Sequence, residues 1–285
     1  MNELPRERPI VVGIDGSKPA LQAALWAVDE AVDRDAPLRL LHAIEQGDGR
    51  DADPDTLARM FSAAETAIGR ALTAIEATGR QVKTETEIVR GPAVRSLVEA
   101  SASAAITCVG AVGLRHFRPG RVGSTAAALA ISAPCPTAII RGSHDQPGRS
   151  TPGIVVEVDN SPDSASLLGI AMEEARMRNA PIRAIMCRRS VSGDAAIAGV
   201  HDLRAVADLD RRLAGWRRRY PHVQVESATA HNTLLEFLGC NRGSVQLAIV
   251  GSENREHLRE LIGPVGSAVL HAAGCSLLVV HGRHL

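Results

Sequence analysis

Short apolar runs and amphipathic stretches alternate along the chain, and this alternation predicts strands separated by helices. The run Ile10–Ile14 is apolar throughout, as expected of a strand that is buried on both faces. From Pro19 to Arg34 apolar residues recur at helical spacing, and Ser17 stands before them as an N-cap. A longer helical pattern ends at Gly79. Further strands are predicted over 38–44, 82–89, 106–110 and 137–141, with helices over 92–100 and 125–131.

The chain contains two copies of one unit. Residues 9–43 and 153–187 align without gaps at a constant offset of 144, and 12 of their 35 positions are identical. The ends of the copies also match, with CPTAIIRG at 135–142 and CSLLVVHG at 275–282. Such a repeat indicates that one supersecondary arrangement is used twice.

Each copy predicts a parallel sheet that is covered by helices on both faces, because its strands are continuously apolar and alternate with amphipathic helices. Right-handed crossovers between such strands produce an open, doubly wound sheet. We therefore predict an α/β fold with two tandem, doubly wound, open parallel-sheet domains, at residues 1–143 and 152–285. The segment 142–152 is rich in Gly, Pro, Ser and charge, and is the predicted linker.

Composition excludes several classes of protein. Lys+Arg and Asp+Glu are both 32 and the net charge is zero, whereas a nucleic-acid-binding protein needs a basic excess. Aromatic residues are 2% of the chain, too few to stack single-stranded bases. The uncharged stretch 122–140 is long enough to cross a bilayer, but Pro134 and Pro136 would interrupt a helix there. We expect no nucleic-acid partner and no membrane segment.

The cysteines and the first residues predict a cytoplasmic protein. Five cysteines are an odd number and include no Cys-x-x-Cys pair, so we expect reduced, buried thiols. Residues 1–8 are polar and charged, unlike a signal peptide.

Asp15 lies where the first strand ends and the first helix begins, in the segment VVGIDGS at 11–17. Ligands of doubly wound sheets bind beyond the carboxyl ends of the strands, in such loops. A carboxylate there can accept hydrogen bonds from a ribose hydroxyl or an exocyclic amine. Asp15 and Ser17 can equally serve only to cap the helix, and the sequence leaves the two interpretations open.

A second loop, GAVGLRHFRPGRVGST at 110–125, follows a buried strand and opens a helix. Glycines allow an anion to approach the backbone closely, and free amides at a helix N-terminus favour phosphate. Ser124 and Thr125 add two hydroxyls. The loop also carries Arg115, His116, Arg118 and Arg121, which suit a polyphosphate or form a solvated surface.

The combined pattern resembles that of universal stress proteins. Gly110, Gly113 and the pair Gly123-Ser124 match the nucleotide-binding pattern of that family, G-x2-G followed by nine residues and G-[S/T]. VGIDGS at 12–17 and SAPCP at 132–136 resemble the beginning and end of the family's domain. The resemblance covers nearly the whole chain, whose arrangement is similar to that of the tandem mycobacterial members. It implies that each copy has the fold of the adenine nucleotide α hydrolases.

This resemblance implies that the first copy binds ATP. Asp15 and the residues near Ala43 would hold adenine and ribose, and Gly110 and Gly113 would admit ribose and phosphates. Gly123, Ser124 and Thr125 would hold the phosphates through amides and hydroxyls. A magnesium ion can accompany the phosphates, but the sequence identifies no acidic ligand for it and no metal site.

The second copy departs from the pattern. Asp159 and Gly251 are retained, but Asn254 replaces the second glycine and Pro264 replaces the serine. Proline has neither an amide hydrogen nor a hydroxyl, so two phosphate donors are lost together. Gly266-Ser267 could substitute for them if the loop is rearranged. We expect the second copy to bind nucleotide weakly or not at all.

No motif supplies a catalytic base or nucleophile, so we expect no catalytic residues and at most weak ATP hydrolysis. The main hypothesis is an ATP-binding stress-response protein in which nucleotide occupancy changes conformation or partner choice. The alternatives are a slow ATPase or other nucleotide-processing enzyme, and an interaction module without ligand; a cyclic nucleotide is an alternative ligand. The apolar last strands, 137–141 and 277–281, are expected to pair between copies or between chains in a homodimer.

Overall fold

The chain divides between Gly142 and Ser143 into two compact units. A computed structural model describes residues 8–45, 53–114, 121–142, 152–159, 161, 164–187, 195–230 and 233–281. Residues 143–151 of the predicted linker lie outside these ranges, as do three of the predicted basic loop residues, Arg115, His116 and Arg118. The limits proposed for the two domains therefore stay a prediction.

The first unit is a five-stranded, wholly parallel sheet in the order β3-β2-β1-β4-β5. Helix α1 packs against α2, and α3 packs against α4. Because the strand order reverses after β3, right-handed connections place these two pairs on opposite faces of the sheet. The elements are β1 (Ile10–Gly13), α1 (Lys18–Asp33), β2 (Leu38–Ile44), α2 (Pro54–Glu76), β3 (Thr84–Arg90), α3 (Ala93–Ser101), β4 (Ile106–Gly110), α4 (Ser124–Ser132) and β5 (Thr137–Ile140).

The second unit repeats this sheet in the order β8-β7-β6-β9-β10, again with parallel pairing throughout. Its last two helices, α8 and α9, follow one another directly after β9. The elements are β6 (Gly153–Glu157), α5 (Ser164–Met177), β7 (Ile182–Cys187), α6 (Ala195–Arg219), β8 (Val225–Ala230), α7 (Leu234–Cys240), β9 (Val245–Gly251), α8 (Arg255–Ile262), α9 (Pro264–Ala273) and β10 (Ser276–Val280).

Strand pairing confirms that the repeat in the sequence is a repeat in the fold. Gly13 pairs with Leu41 in the first unit, and Glu157 pairs with Ile185 at the same offset in the second. The turn before the second strand is also repeated, because Asp35 and Asn179 both have positive φ angles, 50° and 46°. Asp and Asn tolerate this conformation better than other side chains. The doubly wound α/β fold of both copies is as predicted.

The core is aliphatic, but each unit also contains a buried glutamate, paired with an arginine, that hydrophobic patterning does not predict. Glu30 of α1 is fully buried and its Oε2 lies 3.0 Å from Nη2 of Arg34. In the second unit Glu174 and Arg178 repeat this pair at 3.2 Å. Since a buried charge is tolerated only with a partner, each pair fixes the last turns of its helix.

The cysteines agree only in part with the expectation that they are reduced and buried. All five cysteines are free, but the expectation that all are buried is wrong, since Cys240 is exposed and Cys187 is half-buried. Cys240 is the last residue of the short helix α7 and lies at the surface, where the fold does not require a buried apolar side chain.

Within the described part of the chain, no helix combines the length and apolar character needed to cross a bilayer.

Candidate functional site

A cavity of about 960 Å³ opens where β1, β2 and β4 of the first unit end. This is the point at which the strand order of the sheet reverses, and ligands of doubly wound sheets bind there. Its walls come from the β1–α1 loop, the end of β2, α2, the start of α3 and the loop between β4 and α4. All seven residues singled out from the sequence lie along it: Asp15, Ala43, Gly110, Gly113, Gly123, Ser124 and Thr125.

Asp15 joins the two loops that form the floor of this cavity. Its Oδ1 accepts a hydrogen bond from the Ser17 amide at 2.9 Å, and its Oδ2 accepts one from the Leu114 amide at 3.0 Å. Ser17 itself caps α1, because its Oγ accepts the Ala20 amide at 3.2 Å. Ser17 is therefore the N-cap of α1, whereas Asp15 accepts the amide of the N-cap residue and an amide of the second loop rather than a first-turn amide. Each carboxylate oxygen of Asp15 has a further lone pair, so the half-buried side chain can also accept from a ligand.

The three glycines of the loop have different structural reasons to lack a side chain. A Cβ on Gly110 would lie 2.6 Å from the carbonyl carbon of Pro19, so this glycine allows α1 to pack on β4. A Cβ on Gly113 would lie 2.6 Å from Oδ2 of Asp15. At Gly123 a Cβ would approach nothing closer than 3.6 Å. Packing therefore explains Gly110 and Gly113, whereas Gly123 borders open space in the cavity.

Helix α4 points its N-terminus at the cavity without a side-chain cap. Gly123 is the N-cap residue and has no side chain to accept the amides of the first turn, which belong to Ser124, Thr125 and Ala126. Such amides and the positive end of the helix dipole favour an anion. The exposed Ser124 and half-buried Thr125 add hydroxyls to the same end. Arg121, also exposed, is the one predicted basic loop residue that the structure describes.

The end of β2 brings a histidine to the cavity beside Ala43. Burial lowers the pKa of His42, and the Asp15 carboxylate and a hydrogen bond to the Ile14 backbone oppose this shift only in part. The imidazole is therefore neutral at neutral pH. Glu45 follows, and its Oε1 accepts the Ala93 amide at 3.0 Å, which caps α3. The sequence analysis missed both residues, because neither belongs to a motif.

Helix α2 contributes a polar wall that the sequence analysis also missed. Arg59, Ser62, Thr66 and Arg70 recur at helical spacing and all line the cavity. The only signal for this wall in the sequence was the polar face of a predicted amphipathic helix, which ordinarily faces solvent.

The second unit has larger side chains, one of them acidic, at two positions that line the cavity of the first unit. Glu157 occupies the position of Gly13, and Cys187 occupies that of Ala43. Oε2 of Glu157 lies 2.7 Å from Nε2 of His257, which belongs to α8, and both side chains are only 18% exposed. Burial and the Glu157 carboxylate raise the pKa of the Cys187 thiol. A carboxylate held in this place repels a phosphate ester.

The loops of the second unit are also bonded differently. Burial would raise the pKa of Asp159, but hydrogen bonds from Ser161 and Ser164 outweigh it and hold the pKa below its usual value. Asn254 caps α8 by accepting the His257 amide at 3.0 Å, and thus replaces the glycine of the first unit with a helix start.

The idea that Gly266 and Ser267 replace the missing phosphate donors does not agree with the structure. Both are buried within α9, where Gly266 packs on the carbonyls of Glu260 and Leu261 in α8. Ser267 is 1% exposed. A side chain or amide in that position is not accessible to a nucleotide.

The described residues offer a magnesium ion few ligands. No group of three or more His, Cys, Asp and Glu residues in this part of the chain is arranged to hold a metal. Asp15 and Glu45 are the carboxylates on the cavity, and both already accept backbone amides. A magnesium ion here would depend mainly on the phosphates of its ligand, as is common for this metal.

The fold and the cavity define a class of protein: a tandem α/β protein with an open cavity at the strand ends of its first unit. The family model described as "Universal stress protein family" matches residues 7–141 and 153–281. The chain belongs to the universal stress protein family.

Relatives and solved structures agree with this assignment. Universal stress protein Rv2028c of Mycobacterium tuberculosis H37Rv is 52% identical over 285 residues, which is the full length of both chains. Universal stress protein Rv2624c of the same strain is 41% identical over 278 residues, 97% of each chain. The crystal structure of a universal stress protein from Archaeoglobus fulgidus has a TM-score of 0.71 at 16% identity and covers 96% of each chain. At that identity, the structure supports the fold alone.

Proposed function

We propose that the first unit binds ATP and that nucleotide occupancy regulates the protein in a stress response. The observation that carries this proposal is the uncapped N-terminus of α4, which faces the same cavity as the Asp15 carboxylate. One provides donors for phosphate, and the other provides acceptors for ribose or base. A cavity of about 960 Å³ lies within the range of small-molecule sites, roughly 300–1,000 Å³.

The same geometry provides a route from binding to conformation. The Leu114 amide is bonded to Asp15, and the Leu114 side chain is 65% exposed. A ribose hydroxyl that donates to Asp15 would change this bond between the two loops. Residues 111–114 would then adopt a different conformation in the presence of nucleotide, and a partner that contacts Leu114 would detect it. A ligand shifts such an equilibrium only by binding one loop arrangement better than the other.

The proposal includes a cytoplasmic location, which five free cysteines support. Self-association through the last strands stays a prediction, which the mass in solution would test.

Mass spectrometry of small molecules released from the gently purified protein tests the central proposal. Bound ATP without product supports a regulatory site. Steady release of ADP in a turnover assay would instead indicate a slow ATPase. Protein that is empty and ignores millimolar ATP and cyclic AMP in calorimetry would contradict nucleotide binding and leave an interaction module.

A further inference from the structure

The wall that α2 presents to the cavity carries two positive charges. Arg59 and Arg70 line the cavity, with Ser62 and Thr66 between them along the helix. Eleven residues of helix separate the two arginines, a rise of about 16 Å. Other α2 residues on the cavity are apolar, and the helix carries its acidic residues elsewhere on its surface.

Neither arginine is neutralised by a carboxylate within the described residues. Nη2 of Arg59 donates to Oγ1 of Thr56 at 3.0 Å, and Arg70 makes neither a hydrogen bond nor an ion pair in this part of the chain. Both side chains are exposed to the cavity mouth. The carboxylates on the cavity, Asp15 and Glu45, accept backbone amides instead. Two positive charges therefore remain for a ligand.

These charges lie on the opposite side of the cavity from the N-terminus of α4. Helix α2 belongs to the layer of α1, and α4 belongs to the layer of α3 on the other face of the sheet. The edge of the sheet, with the loop that carries Asp15, lies between the two layers. The cavity thus attracts anions at two separate places, and a phosphate chain bound at α4 leaves the arginines without a partner.

The β1–α1 loop connects the arginine wall with the sugar. Ala67 of α2 packs on Gly16, where a Cβ would lie 3.3 Å away. Asp15, the proposed acceptor for ribose, is the neighbouring residue. A ribose held at Asp15 would therefore lie beside α2. Guanidinium groups bind phosphate through paired, charge-assisted hydrogen bonds.

We propose that the ligand of this cavity is an adenine nucleotide with a second phosphate on the 2′ or 3′ oxygen of its ribose, bound by an arginine of the α2 wall, Arg59 or Arg70. The proposal rests on nucleotide binding by the first unit and specifies the class of nucleotide. The 5′ phosphates occupy the N-terminus of α4, and the ribose phosphate occupies the α2 wall.

Isothermal titration of the full chain with AMP, adenosine 2′,5′-bisphosphate and adenosine 3′,5′-bisphosphate tests this assignment. We expect one bisphosphate to bind about tenfold or more tightly than AMP, the effect of one or two charged hydrogen bonds. In the double variant Arg59→Ala/Arg70→Ala this ratio should approach one. The matched control is Arg80→Ala, since Arg80 is an exposed arginine just beyond α2 that does not line the cavity.

The outcomes separate this inference from the proposed function. Equal affinity of the wild-type chain for AMP and both bisphosphates would overturn the second phosphate while nucleotide binding stands. A preference that survives in the double variant would also overturn the role of the arginines. If the double variant loses ATP affinity as much as bisphosphate affinity, the arginines serve the 5′ phosphates and the assignment is wrong. No binding of any nucleotide would overturn both proposals.

Discussion

Replacement of Gly123 by alanine should weaken nucleotide binding while the protein still folds. A Cβ at this position would lie 3.6 Å from the Ala111 carbonyl oxygen and 3.6 Å from the Gly113 amide nitrogen. These are ordinary van der Waals distances, and the φ and ψ angles of −66° and 154° suit alanine. The added methyl group therefore fits the free protein. It also occupies the space over the Gly113 amide, where a phosphate is proposed to approach.

The size of each effect follows from the same geometry. Alanine is a poorer N-cap than glycine, so the free energy of unfolding should fall by about 1 kcal/mol at most. A phosphate displaced from the first-turn amides loses charge-assisted hydrogen bonds, each worth about 1.5–3 kcal/mol. We expect ATP affinity to fall by about tenfold or more.

The matched control is Gly110→Ala in the same loop. There the methyl group would lie 2.6 Å from the backbone of Pro19, a distance that α1 can relieve only by moving. We expect this variant to be destabilised by about 2–3 kcal/mol. Urea denaturation gives both stabilities, and isothermal titration gives both affinities. Unchanged ATP affinity in Gly123→Ala would refute a phosphate site at the start of α4.

Three further predictions concern neighbouring features. Asp15→Asn keeps the shape of the side chain but removes its charge, so calorimetry should show ATP binding weakened about tenfold; equal affinity would exclude a ligand role for Asp15. Native mass spectrometry should find one ATP per chain, because Glu157 and its partner His257 stand where Gly13 borders the cavity of the first unit, and a second bound ATP would disprove this reasoning. Burial lowers the pKa of His42, so the unfolded chain binds its proton more readily and stability is lost as pH falls below about 6.5. In His42→Gln, the free energy of unfolding should decline less between pH 7 and 5, and an unchanged decline would contradict this assignment.

Much of the fold follows from local patterning in the sequence. Parallel strands buried on both faces are continuously apolar, and the repeated segment 153–187 then predicts a second sheet from the first. Strand limits differ by a residue or two, as at β3, which begins at Thr84 rather than Val82. The buried pair Glu30–Arg34 could not be predicted, because a glutamate on a helix is ordinarily exposed. Its burial depends on how α1 lies on the sheet, which patterning does not specify.

The candidate site was predictable where residues follow strands directly. Asp15 and Gly110 are placed by the ends of β1 and β4, so the topology alone brings them together. The arginines of α2 could not be predicted in this way, since the position of a helix after a long loop depends on tertiary packing. Similarly, the sequence identifies Gly110 as a glycine of a nucleotide motif, whereas the structure adds its contact with Pro19.

The comparison of the two copies identifies which differences would prevent nucleotide binding by the second. Loss of the serine at Pro264 removes phosphate donors, but a nucleoside could still enter a site that lacked them. Glu157 would oppose the entry of a nucleoside as well, because its carboxylate projects from the position of Gly13 at the end of the central strand. His257 holds the carboxylate there. A ligand would have to displace this hydrogen bond as well as approach a like charge. The second unit therefore retains the fold of the first but changes residues that line the first unit's cavity, and we expect nucleotide to bind to the first unit alone.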